Sequence, residues 1–101
     1  MNAELQQHWK SGQYFLVINN SGSSAARNIE IKLNENPIDN CSFTINPRCN
    51  PEIIGAGSNF KYILYRETIP EKPIIIEIHW QDNSRQNGRY STTLGKPNIQ
   101  D

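Results

Sequence analysis

The chain has 101 residues and a mass of 11.6 kDa, the size of one domain, which excludes most multi-domain enzymes. Ten basic residues balance ten acidic ones, so no net field concentrates DNA, RNA or an anionic membrane around it. Fourteen Ile against five Leu and one Val favour strands, and thirteen Asn favour turns.

The first nine residues, Met1 to Trp9, have neither a basic n-region nor an apolar h-region, and no later run approaches the length of a membrane span. A cytoplasmic protein without membrane insertion is expected, exported only if the chain is cut from a longer precursor. In that compartment Cys41 and Cys49 are expected as thiols rather than a bridge.

Period-two alternation recurs along the chain and a helical apolar stripe does not. A weak first strand is expected around Ala3 to Trp9. The apolar run from Tyr14 to Ile18 suits a strand buried on both sides, ending at the turn formers Asn19 to Ser24. Ile29, Ile31 and Leu33 alternate with Glu30 and Lys32, which places the first three in a core. Asn34 to Asn40 reads as a loop, and Cys41, Phe43 and Ile45 as one face of a short strand. Pro47 and Pro51 confine the next stretch to an edge or a connection. A glycine turn at Gly55 to Ser58 leads to a strand with Phe60, Tyr62 and Leu64 on one face. After a loop at Thr68 to Pro73, Ile74, Ile76, Ile78 and Trp80 point inward on the best candidate for a central strand.

The last hairpin pairs Tyr90, Thr92 and Leu94 back on it. A tight turn at Asn87-Gly88 would set Trp80 opposite Gly95, whereas a loop from Asn83 to Gly88 sets it opposite Ser91. The second register uses the hydrophobic strand better and is the one expected. Gly95 to Asp101 reads as linker, so residues 1–95 form the domain and 96–101 a C-terminal tail. About seven short strands without a helix predict an all-β, antiparallel two-sheet sandwich, with a barrel as the alternative.

The segment Tyr14-Phe15-Leu16-Val17-Ile18-Asn19-Asn20-Ser21-Gly22, followed by Ala26-Arg27-Asn28-Ile29-Glu30-Ile31, resembles the opening of bacterial immunoglobulin-like domains of the CARDB or NEW3 kind. Ile54-Gly55-Ala56-Gly57-Ser58 is similar to the turn before their fifth strand, and Ile76-Glu77-Ile78-His79-Trp80-Gln81-Asp82 to a later one of their strands. The resemblance spans nearly the whole chain. It implies an immunoglobulin-like sandwich acting as a non-catalytic accessory or adhesion-like module, with no family site to transfer. Two features depart from that pattern: the first Gly-Pro-rich linker is missing, and the cysteines do not bracket a core Trp.

Few residues suggest chemistry. Gly55-Ala56-Gly57-Ser58-Asn59-Phe60 begins like a dinucleotide fingerprint, but Phe60 replaces the third glycine and no helix follows to receive phosphate. Cys41, Cys49, His8 and His79 are legitimate zinc ligands at spacings that match no zinc motif. His79 alternates outward beside Glu77, and Cys41 aligns with core residues, so no nucleophile and base are brought together by pattern. Asn19 and Asn40 begin glycosylation triplets that carry no weight without a signal peptide. Arg85, Arg89 and Lys96, with Tyr90 and Trp80, make a loose basic and aromatic group, too sparse in a neutral chain for nucleic acid. No catalytic residue, metal ligand or cofactor is assigned.

What exceeds background is apolar surplus. Phe15, Val17, Ile63, Tyr65 and Ile75 lie opposite the better core positions of their strands and mark a possible interface, with a protein partner or in a homodimer. The expected function is therefore a non-enzymatic binding or accessory module. Its alternative is a small ligand-binding or enzymatic β-barrel that uses Cys41, Cys49 or His79.

Overall fold

The period-two alternation becomes ten strands in the computed structural model, which describes residues 1–41, 45–65, 73–83 and 87–100. They are β1 (Asn2–His8), β2 (Tyr14–Asn19), β3 (Ala26–Leu33), β4 (Asn36–Pro37), β5 (Ile45–Asn46), β6 (Ile53–Ile54), β7 (Asn59–Leu64), β8 (Ile74–Gln81), β9 (Gly88–Leu94) and β10 (Asn98–Gln100). One sheet has the order β10-β1-β2-β7-β5; the other has β4-β3-β8-β9, with β6 also paired to β3. Among the described residues all pairings are antiparallel except β1 with β10, which run parallel. The two sheets pack as a β-sandwich around one core rather than closing into a barrel. Among the described residues, no helix is long and apolar enough to cross a membrane.

The core sits between the inner rows. Leu16, Ile18, Tyr62 and Leu64 come from the first sheet, and Ile29, Ile31, Leu33, Ile74, Ile76, Ile78, Trp80 and Leu94 from the second. The residues expected inward on β3 and β8 are therefore buried, each contributing about 1.5–3 kcal/mol by leaving water. Cys41 and Ile45 are buried as expected, while Phe43 lies outside the described residues.

Three departures have physical causes. Within the expected loop, Asn36–Pro37 pairs with β3 at the sheet edge, where Pro needs no donor, and Ile38 opens a short 3-10 turn that buries its side chain completely. The expected tail forms β10, whose Asn98 and Ile99 pair with Gln6 and Gln7. The last hairpin takes neither expected register: Trp80 lies opposite Gly88 and Ile78 opposite Tyr90. A Cβ on Gly88 would fall 2.2 Å from Trp80 Cε2, so the indole occupies the space a side chain would need. Gly88 is there for close approach across the strands rather than for a turn. The indole Nε1 donates to Asp82 Oδ2 at 2.9 Å, fixing the ring.

The asparagines reach farther than local turns. Asn20, nearly buried, donates through Nδ2 to the carbonyls of Ser24 and Ile54, both at 2.9 Å, while its Oδ1 accepts from the Gly22 amide at 3.0 Å. Its backbone also bonds Ser58 and Gly57, so one residue ties the β2–β3 and β6–β7 connections. Asn34 and Asn50 accept from the strand amides of Ile75 and Ile31 at 2.8 and 2.9 Å.

Gly88→Ala is expected to destabilise the domain by about 2–3 kcal/mol in denaturant unfolding, because the methyl group must displace the indole. Gly95→Ala, with nothing within 4 Å of the added Cβ, should stay near neutral. Equal stability of both variants would contradict the Trp80–Gly88 packing.

Candidate functional site

Register lays out the outer face of the five-stranded sheet as three rows across β1, β2 and β7. They read Asn2–Asn19–Asn59, Glu4–Val17–Lys61 and Gln6–Phe15–Ile63. The third row extends to Asn98 on β10 and Asn46 on β5. Phe15 and Ile63 are adjacent and partly buried, and Tyr65, just past the end of β7, is 41% exposed. Trp9 and Ile99, each 60% exposed, lie at the same end of this sheet but off its outer rows: Ile99 pairs with Gln7, in the inward row of Tyr14 and Leu64. Alternation did not flag these two, since Trp9 follows β1 and Ile99 lies in the segment read as linker.

Two of the five expected interface residues do not belong to such a patch. Val17 is only 1% exposed, between Glu4 and Lys61 across the sheet. Ile75 is 52% exposed but stands on the outer face of the other sheet, opposite Thr93. The structure thus brings together Phe15, Ile63 and Tyr65.

Charge is ordered around this apolar centre. Glu4 accepts hydrogen bonds from Gln6 Nε2 at 3.0 Å and Asn98 Nδ2 at 2.9 Å, which hold its carboxylate in place at the β1 side. Lys61 is exposed on the β7 side and enters none of the ion pairs among the described residues.

The outer face of the second sheet is polar. His79 Nε2 meets Glu77 Oε1 at 2.7 Å, and Arg89 Nη2 approaches the same oxygen at 3.2 Å. The hydrogen bond with His79, reinforced by Arg89, holds the Glu77 carboxyl below its ordinary value against an opposing effect of burial. Beside them a shallow depression of about 550 Å³ is lined by Asn28, Glu30, His79, Gln81 and Arg89 among others. Asn28 sits at the β3 bulge with φ 48° and donates to Gln81 Oε1.

The residues required by the barrel alternative lie apart. Cys41 is in the core, its Sγ donating to the Ile38 carbonyl at 3.6 Å. Cys49 is exposed, and its carbonyl accepts from the Tyr62 hydroxyl at 2.8 Å; burial, then Cys49, raises that phenol above its ordinary value. The depression touching His79 includes neither cysteine. Among the described residues no three His, Cys, Asp or Glu gather as a metal-binding group. His8 instead accepts the Lys10 and Ser11 amides at 3.3 and 3.1 Å in the β1–β2 turn. Gly55 to Ser58 forms a turn into β7, with Gly57 at φ 73°. In the basic group, Arg89 pairs with Glu77 and Arg85 lies outside the described residues.

Because the folded Glu77 carboxyl titrates below its ordinary 4.5, its contribution to stability is fully present above that pH. It is lost as pH falls through the lowered value. Unfolding curves of wild type and Glu77→Gln should therefore converge on acidification below pH 4.5 and separate above it, wild type being the more stable. A constant difference across this range would contradict the pairing.

No curated protein and no solved structure matches this chain. The model of a family described as a domain of unknown function, DUF8453, matches residues 1–95, and the chain belongs to that family.

Proposed function

We propose that this domain is a non-enzymatic, immunoglobulin-like binding module that contacts protein through the outer face of its five-stranded sheet. The observation that carries this reading is the row formed by Phe15 and Ile63 at the centre of that face, with Tyr65 exposed just past the end of β7. A sandwich needs apolar residues on one face of each sheet only, so a second apolar row adds little to the core. It adds affinity when another surface dehydrates it, and aromatic side chains at the centre of a patch contribute most.

The separation of the cysteines from His79 supports the same reading. Cys41 contributes to packing, while His79 lies in a separate salt-bridged cluster on the opposite face. The equal numbers of acidic and basic residues fit a protein surface better than a phosphate backbone.

The test compares immobilised wild type, a Phe15→Ser/Ile63→Ser variant and Ile75→Ser in capture from native extract. All three should unfold at temperatures within a few degrees, because the changed side chains stand outside the core. Proteins held by wild type and Ile75→Ser, but not by the double variant, are the expected result. Equal capture by all three, or loss with Ile75→Ser alone, contradicts the assignment of the face.

A further inference from the structure

We infer that the occupant of this face is a second copy of the chain, packed sheet to sheet about a two-fold axis that runs along β2. The inference rests on the protein-contact reading above and adds the identity and orientation of the partner. It comes from the order of residues across the face. β2 is the middle strand of the five, with β1 on one side and β7 on the other. A rotation about β2 therefore lays β1 of one copy over β7 of the other.

The register then states what meets what. Glu4 faces the partner's Lys61, and Lys61 faces the partner's Glu4, so two opposite-charge pairs form from one self-complementary surface. Asn2 faces the partner's Asn59, and Asn98 faces the partner's Asn46, pairing amides with amides. Phe15 meets the partner's Phe15 on the axis, and on either side Ile63 faces the partner's Gln6. Toward the end of the sheet, His8 approaches the partner's Tyr65.

The sign of the charges excludes the two-fold that runs across the strands through the Glu4–Val17–Lys61 row. A two-fold across the strands through the same row would set Glu4 on Glu4 and Lys61 on Lys61, with Asn19 opposed to Phe15. Like charges held face to face are unfavourable by several kcal/mol, whereas the axis along β2 replaces them with attraction. The usual angle of about 30° between packed sheets shifts these pairings by only a fraction of a residue near the centre.

Size limits the affinity. Three strands of six or seven residues and two of two or three, about 4.8 Å apart at roughly 3.3 Å per residue, present a face of about 380 Å² before surface relief is counted. That is about half of the roughly 800 Å² per partner of a standard interface, so the dimer should be weak.

Sedimentation velocity from ~5 µM to ~1 mM tests this, with wild type, Glu4→Lys, Lys61→Glu and an equimolar mixture of the two variants. Wild type should pass from monomer to dimer across the range. Each variant opposes like charges twice and should associate more than about 10-fold more weakly. The mixture should recover the dimer, because one protomer then presents two lysines and the other two glutamates. Lys61 is exposed and outside every hydrogen bond given for Glu4, so Lys61→Glu remains informative if Glu4→Lys loosens β10. A wild type that stays monomeric to ~1 mM overturns the inference. Face-dependent capture of another protein would then still uphold the protein-contact reading, and its absence would end both. A wild-type dimer indifferent to Lys61→Glu places the contact elsewhere and overturns the inference. Two folded, weakened variants that do not recover on mixing overturn the axis along β2.

Discussion

A two-sheet sandwich has a single interior, and each strand can turn only alternate side chains into it. Nearly everything else in this domain follows from that constraint. It draws Ile29, Ile31 and Leu33 of β3 and Ile74, Ile76, Ile78 and Trp80 of β8 to one side, leaving Glu30, Lys32, Glu77 and His79 outside as a charged ladder. It draws Leu16, Ile18, Tyr62 and Leu64 inward on the other sheet. There the outward set is unlike a solvated face, because Phe15, Val17 and Ile63 occupy its centre. The functional proposal depends on that asymmetry between the two outer faces.

The architecture was legible because both sheets obey the two-residue period and the chain is rich in Ile. Strand faces needed no more information than that. Register was not legible, because it was decided by a contact between distant residues: the indole of Trp80 fills the space over Gly88, three positions from the expected partner Ser91. A glycine beside an asparagine signals a turn locally, and nothing local says that a tryptophan will lie on it. The short strand β10 was hidden for a similar reason. Its residues Asn98 and Ile99 have no strong alternation of their own, and the edge of β1 supplies their partners.

The asparagines had two roles, of which one was visible. Their number pointed to turns, and Asn34 does adopt a left-handed conformation with φ 50°. Yet Asn20, Asn34 and Asn50 bond backbone groups of other segments, satisfying groups that the neighbouring strands leave unpaired. For Asn20, replacing these bonds by water would require opening the sandwich edge. The same side chains that read as loop formers therefore act as ties between loops and sheets.

Of the candidate interface, the apolar residues were legible and their surroundings were not. Alternation marks Phe15, Ile63 and Ile75 equally, and only the assignment of strands to sheets separates the first two from the third. Val17 also alternates outward, yet it is buried. Glu4 and Lys61 are fifty-seven residues apart and acquire meaning when β2 comes between them. The most direct measurement of the central claim is the concentration dependence of amide and methyl chemical shifts from ~20 µM to ~1 mM. The account predicts changes centred on Glu4, Phe15, Lys61 and Ile63, with Ile75, His79 and Arg89 unaffected. Changes centred on the second sheet, or none over that range, would contradict it.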